Sequence, residues 1–142
     1  GFVTYWEQAK TRLVGVEPEV IAKYNVVSAP VAARMALGAV AASGSDIAVS
    51  VTGVAGPTGG DEVRPVGTVY LGAARGDTVY VQKLFVSRPD RALVRARAAQ
   101  AALALALRLA QGKVPAHTKP LAASEQHSAA ALDALNEAFL AE

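Results

Sequence analysis

The densest concentration of chemistry-capable residues is Ser50-Val-Thr-Gly-Val-Ala-Gly-Pro-Thr-Gly-Gly60, followed by Arg64-Pro-Val-Gly-Thr-Val69. An apolar run, Ile47 to Thr52, reads as a strand that delivers Thr52 to its carboxyl end, where a glycine-rich turn begins. Ligands of open α/β sheets sit at such strand ends. Glycines let backbone N–H groups approach and converge on an anion. The segment is not a P-loop, since no G-K-[ST] follows and no helix comes directly after it. It is not a dinucleotide fingerprint either, since no G-x-G-x-x-G follows the strand. Composition alone leaves a plainer role open, that of turning the chain between two strands. With no cysteine, thiolate nucleophiles, disulfides and thiolate zinc sites are excluded. Two histidines, His117 and His127, are too few for a histidine-built metal site.

These residues need a scaffold, and the chain has the material for one. It has 142 residues, 52% of them apolar and 18% charged, which suits one domain with a real core and excludes a disordered polyelectrolyte. Ala fills 31 positions, so much of the apolar content is small and helix-favouring. Residues 1–112 carry 12 Lys/Arg against 8 Asp/Glu, and residues 113–142 carry 2 against 4. The first part can attract anions such as nucleotide phosphates but lacks the dense basic stripe of a nucleic-acid binder. No basic-then-apolar leader is visible, and the apolar run from Ala98 to Ala110 is broken by Gln100 and Arg108. The expectation is a cytoplasmic protein with no membrane or nucleic-acid partner.

Gly1–Tyr5 reads as a short strand, Glu7–Val14 as a helix closed by Gly15, and Pro18 as the first turn of another helix. Ser28 caps a stronger helix that Gly44 ends. Gly67–Ala74 and Thr78–Val86 form a hairpin about Arg75-Gly76-Asp77. Asp90 caps a helix running to Gln111. Its Leu residues at 103, 105, 107 and 109 alternate like a strand, but its length and its Ala and Leu content favour helix. Residues 113–127 read as a linker. Residues 128–142 read as an amphipathic helix with Leu132, Leu135 and Phe139 on one stripe, a face that needs a partner surface on its own domain or in a homo-oligomer. The order predicts an α/β fold with helices covering a mixed sheet.

Read together, the Ser50–Val69 residues resemble the CinA C-terminal domain family, the nicotinamide-nucleotide amidases. The family pattern S-x-T-G-[IV]-A-G-P-x-G-G, then K/R-P-V-G-T-V, stands here almost letter for letter. Thr4-Tyr5 with Lys10 five residues on, Asn25-Val26-Val27-Ser28 before a helix, and Arg91 to Arg95 opening the long helix agree with it. The resemblance covers about residues 1–112. It implies a three-layer α/β/α sandwich around a mixed sheet. It also implies hydrolysis of nicotinamide mononucleotide to nicotinate mononucleotide and ammonia, without metal or cofactor.

On that resemblance, Lys10 is the general base, Tyr5 its active-site companion, and Thr52 lines the reacting centre. Gly53, Gly56, Gly59 and Gly60 lie in the loop that supplies backbone donors, and Arg91 holds the substrate phosphate, with Arg88 competing for that role. A lysine works as a base when desolvation or a neighbouring cation lowers its pKa, and a neutral amine can then activate a hydroxyl. Taken alone, Lys10 reads as a solvated helix lysine, Tyr5 as a half-buried strand residue and Thr52 as a β-branched strand end. The family's nucleophilic serine belongs to an E-S-x-T-G-G motif that this chain does not contain, and the sequence opens on Gly1 directly in strand-like residues. The expectation is therefore an amidase domain truncated at its N-terminus and inactive as this chain alone. The alternative is a non-catalytic nucleotide-binding or regulatory module. Trp6 stands where the family has a small polar residue, and Asn25 where it has glycine.

Overall fold

The structure is a computed structural model and describes residues 1–141. Its elements in order are α1 (Glu7–Val14), α2 (Pro18–Tyr24), α3 (Ala29–Ser43), β1 (Ile47–Gly53), β2 (Thr68–Arg75), β3 (Thr78–Phe85), α4 (Arg91–Ala110), β4 (Lys119–Ala122), a single 3-10 turn (Ala123–Glu125) and α5 (Ala129–Leu140). Side-chain caps appear where the sequence places them. Ser28 accepts from the Val31 N–H, Asp90 from Ala92 and Ser128 from Ala131. Gly15 and Gly44 close α1 and α3 in left-handed geometry.

The sheet order is β1-β2-β3-β4. The layering is the expected α/β arrangement, but every pair of the four described strands is antiparallel rather than mixed. For β1–β2 and β2–β3 the physical reason is connectivity: a glycine-rich loop and a tight hairpin return the chain directly, and parallel pairing needs a crossover, whereas β4 reaches β3 through α4 and still pairs antiparallel. Gly1–Tyr5, expected as a strand, forms no ladder, since no described strand pairs with it. Within the stretch expected as linker, Lys119–Ala122 forms β4 against β3, and Pro120 sits on an edge strand, where proline is tolerated.

Two cores sandwich the sheet. On one face α3 and α5 pack Ala32, Ala36, Leu132, Leu135 and Phe139 against Tyr70, Val81 and Leu121. On the other, α4 buries Val94, Ala98, Ala102, Leu105 and Leu109 against Val69, Leu71 and Ala73. The Leu132/Leu135/Phe139 stripe thus finds its partner surface on its own domain. α3 lies very close to the sheet at Gly72, where an added Cβ would stand 2.5 Å from the Ala32 carbonyl oxygen. That approach lets the buried Ser50 hydroxyl donate to the same carbonyl at 2.6 Å.

Candidate active site

α1 places Lys10 on its inward side, at 6% exposure, because Lys10 and Val14 form the face turned toward α3. The ammonium donates to the Thr4 carbonyl at 2.5 Å. Burial pushes the Lys10 amine below its ordinary range, and the Glu7 carboxylate only partly restores it. The plain reading of Lys10 as a solvated lysine is thus replaced by a desolvated amine, the state a lysine base requires. Tyr5 is 83% exposed, not half-buried, because no described strand lies beside the segment carrying it. Trp6 follows, 72% exposed at the N-cap of α1.

Thr52 is buried at the end of β1, and its hydroxyl donates to the Val26 carbonyl at 2.8 Å. It therefore braces the bend between α2 and α3. Asn25 sits there at φ 77° and ψ 151°, outside the left-handed helical basin that Asn tolerates and in a region ordinarily held by glycine. Its side chain accepts from the Val27 N–H, and the Ser28 hydroxyl donates to the Asn25 carbonyl. Arg64 completes the bend from the glycine loop: Nε donates to the Val27 carbonyl at 2.6 Å and Nη2 to the Tyr24 carbonyl at 2.8 Å. Sequence reading quoted Arg64 only as a motif letter and assigned it no role. The available signal was a lone cation inside a glycine-proline loop, facing a bend with carbonyls to satisfy.

The loop itself is pinned at its base, with the Val54 N–H on Thr68 and the Gly67 N–H on Val54, each at 2.8 Å. Gly53 closes β1. Gly56 and Gly59 take φ of 84° and 93°, which excludes ordinary side chains. At Gly60 a Cβ would lie 2.6 Å from the Val66 nitrogen. Arg91 Nη1 donates to the Gly56 carbonyl at 3.0 Å, so between Arg88 and Arg91 the second is the one bonded to the loop.

The structure therefore joins Thr52 to the Asn25–Ser28 bend and Arg91 to the glycine loop. No hydrogen bond among the described residues links Lys10 to Thr52 or Tyr5 to either. A cleft of about 570 Å³ opens between α1 and this bend, with Glu7, Thr11, Lys23, Asn25 and Arg64 on its walls. Lys10 belongs to the neighbouring, inward face of α1. Among the described residues no cluster of His, Asp or Glu could hold a metal ion, and no helix is long and apolar enough to cross a membrane.

Known proteins are similar to this chain in sequence and fold. The Escherichia coli K12 protein named nicotinamide-nucleotide amidohydrolase PncC is 45% identical over 105 residues, covering 72% of this chain and 62% of its own length. A CinA-like protein of Geobacter is 52% identical over 95 residues, covering 67% of this chain and 23% of its own length. A crystal structure of a CinA superfamily protein from Escherichia coli superposes with a TM-score of 0.72 at 36% identity, over 77% of this chain and 63% of that one. The chain thus spans under two thirds of the length of these relatives. The sequence model of the CinA C-terminal domain matches residues 1–110, and on that match the chain belongs to the CinA C-terminal domain family.

Proposed function

We propose that these residues are the base-bearing half of a nicotinamide-nucleotide amidase, acting on the carboxamide of nicotinamide mononucleotide. The observation that carries the reading is Lys10, a buried amine with a depressed pKa, in a chain 45% identical to a protein named for that activity. In this reading neutral Lys10 removes the proton from the attacking hydroxyl as it adds to the amide carbon. It then returns the proton to the departing nitrogen, which leaves as ammonia from an acyl-enzyme ester, and a water activated in the same way hydrolyses that ester to the acid and restores the hydroxyl. Tyr5 lies on the rim and Thr52 behind the reacting centre. Backbone N–H groups of the Gly53–Gly60 loop face the developing oxyanion, and the Arg91 guanidinium faces the phosphate. Since Thr52 and Arg91 are each bonded to a backbone carbonyl, their first effect is to hold the bend and the loop in place.

The test is ammonia release from nicotinamide mononucleotide by the protein expressed from its whole reading frame, beside calorimetric titration with the same nucleotide. Turnover lost in Lys10→Met with binding retained supports the reading. Turnover that survives Lys10→Met removes Lys10 from the chemistry. Heat of binding without ammonia from the wild-type protein identifies a nucleotide-binding module instead.

A further inference from the structure

α2 supplies Pro18, Ile21, Lys23 and Tyr24 to the cleft of about 570 Å³ that it forms with Glu7 and Thr11 of α1. Seven residues are too few for a helix to hold itself in water, and no side chain caps its N-terminus. Its position comes from what grips it, and grips on both its ends lead to the stretch between β4 and the middle of α5. At the first end, the Glu17 carboxylate accepts two hydrogen bonds from Arg34 of α3, at 3.0 and 2.8 Å. The same guanidinium donates to Gln126, and His127 Nδ1 lies 2.8 Å from the Glu17 carboxylate. At the last end, the Tyr24 hydroxyl donates to the Asp133 carboxylate at 2.5 Å, and Lys23 meets that carboxylate at 2.9 Å.

The gripping stretch is itself anchored away from α2. β4 pairs with β3, the Ala123 N–H donates to the Asp77 carbonyl at 2.7 Å, and Leu132, Leu135 and Phe139 are buried against the sheet. It lies outside residues 1–110, the stretch that the family model matches, so the resemblance gives it no role. Tyr24 carries the connection onward. Its hydroxyl is held by Asp133, and its carbonyl accepts from Arg64, which ties the glycine loop to the bend. We infer that residues 126–133 clamp α2 in place, and that Asp133 is a positioning residue of the cleft, acting through Tyr24. Asp133 is not on the cleft wall. Its loss loosens the wall without removing a group from it. The clamp rests on this geometry alone, and its effect on nucleotide rests also on the amidase reading.

The experiment uses the protein expressed from its whole reading frame. Amide exchange is followed by mass spectrometry in peptides covering residues 18–25 and the β2–β3 hairpin. Tyr24→Phe removes only the hydroxyl, and Asp133→Ala removes its acceptor. Each should speed exchange at 18–25 about tenfold and leave the hairpin unchanged, as local opening does. The double variant should exchange no faster than Asp133→Ala, since the two groups share one bond. Asp133→Asn keeps the acceptor and should stay within about twofold of wild type. With nicotinamide mononucleotide, Asp133→Ala should raise KM about tenfold with kcat little changed, and Asp133→Asn should restore it. The clamp is overturned if exchange at 18–25 is unchanged, if the hairpin loosens equally, if the two changes add, or if Asp133→Asn is as loose as Asp133→Ala. A loosened α2 with unchanged KM overturns the positioning role. Wild-type protein that neither binds nor turns over the nucleotide defeats the amidase reading, and exchange alone then decides the clamp.

Discussion

The two edges of the sheet are finished in opposite ways. At the β3 edge the chain adds β4, only four residues long and carrying Pro120, and then lays α5 over the core with Leu132, Leu135 and Phe139 buried. Polar ties secure that side: Arg34 binds Glu17 and Gln126, Glu17 also meets His127, and Asp133 accepts from Tyr24. At the β1 edge a seven-residue strand without charge or proline stands beside a segment whose Val3 and Tyr5 are exposed. The aromatic core contact and the second covering helix lie where the edge is closed. The candidate site lies toward the other side, where Lys10 holds Thr4 and Thr52 holds the Asn25–Ser28 bend.

The contrast is tested most severely by truncating one phenylalanine on each side. Phe139 is 2% exposed and meets the Tyr70 ring edge-on at 5.8 Å. Phe139→Ala should cost about 3–5 kcal/mol by urea denaturation, the range for a buried Phe. Phe2, 39% exposed on the open side, should lose about 1–2 kcal/mol as Phe2→Ala, since less of its area is covered. Equal losses would mean that the open edge is as well packed as the closed one.

Arg64 joins the glycine loop to the bend through two carbonyls, on Val27 and Tyr24. Arg64→Met should cost about 1.5–3 kcal/mol, the scale of hydrogen bonds made by a charged group. It should also weaken nucleotide binding if the bend shapes the site. Unchanged stability in the same urea series would show that water replaces the guanidinium without loss.

Lys10 sharpens the contrast through pH. Its folded pKa lies below the ordinary 10.5 because burial penalises the ammonium. The fold is therefore disfavoured while Lys10 is protonated, and this penalty is relieved as pH rises through the folded pKa toward the unfolded one. Lys10→Met carries no such penalty. The stability of Lys10→Met relative to wild type should fall as pH rises through that window and stay flat below it, in urea unfolding at stepped pH. A difference that does not change with pH would mean that Lys10 is not desolvated in solution.

Much of this was legible in the residues. The caps at Ser28, Asp90 and Ser128, the breaks at Gly15 and Gly44, and the Arg75–Asp77 turn act locally, so short-range chemistry declares them. The alternating leucines of α4 resolved as helix because Leu105 and Leu109 share its buried face while Leu103 and Leu107 lie outside. What sequence misplaced depended on partners far along the chain. Phe2-Val-Thr-Tyr5 has strand composition but no described strand pairs with it, and Lys119–Ala122 looked like linker until β3 supplied a ladder. In the site the loop was visible, whereas the use of Thr52, Arg64 and Arg91 as braces was not, because their carbonyl partners lie on distant segments.

The smallest expected effect lies in the closed side's own latch. The Asp133 carboxylate accepts from the Tyr24 hydroxyl at 2.5 Å and meets Lys23 at 2.9 Å, and these two partners hold it below the usual 3.8. A depressed carboxylate contributes stability above its unfolded pKa and loses it as pH falls through the folded one. Both members of the ion pair are open to water, so screening keeps the contribution small. Asn at 133 still accepts from Tyr24 but neither pairs with Lys23 nor titrates. Asp133→Asn should therefore be slightly less stable than wild type near neutrality, and the two curves should converge in acid below 3.8. Added salt should shrink the neutral-pH difference. If the difference persists in acid or ignores salt, the latch at the closed edge works by shape and hydrogen bonding, and its charges are incidental to the contrast between the two edges.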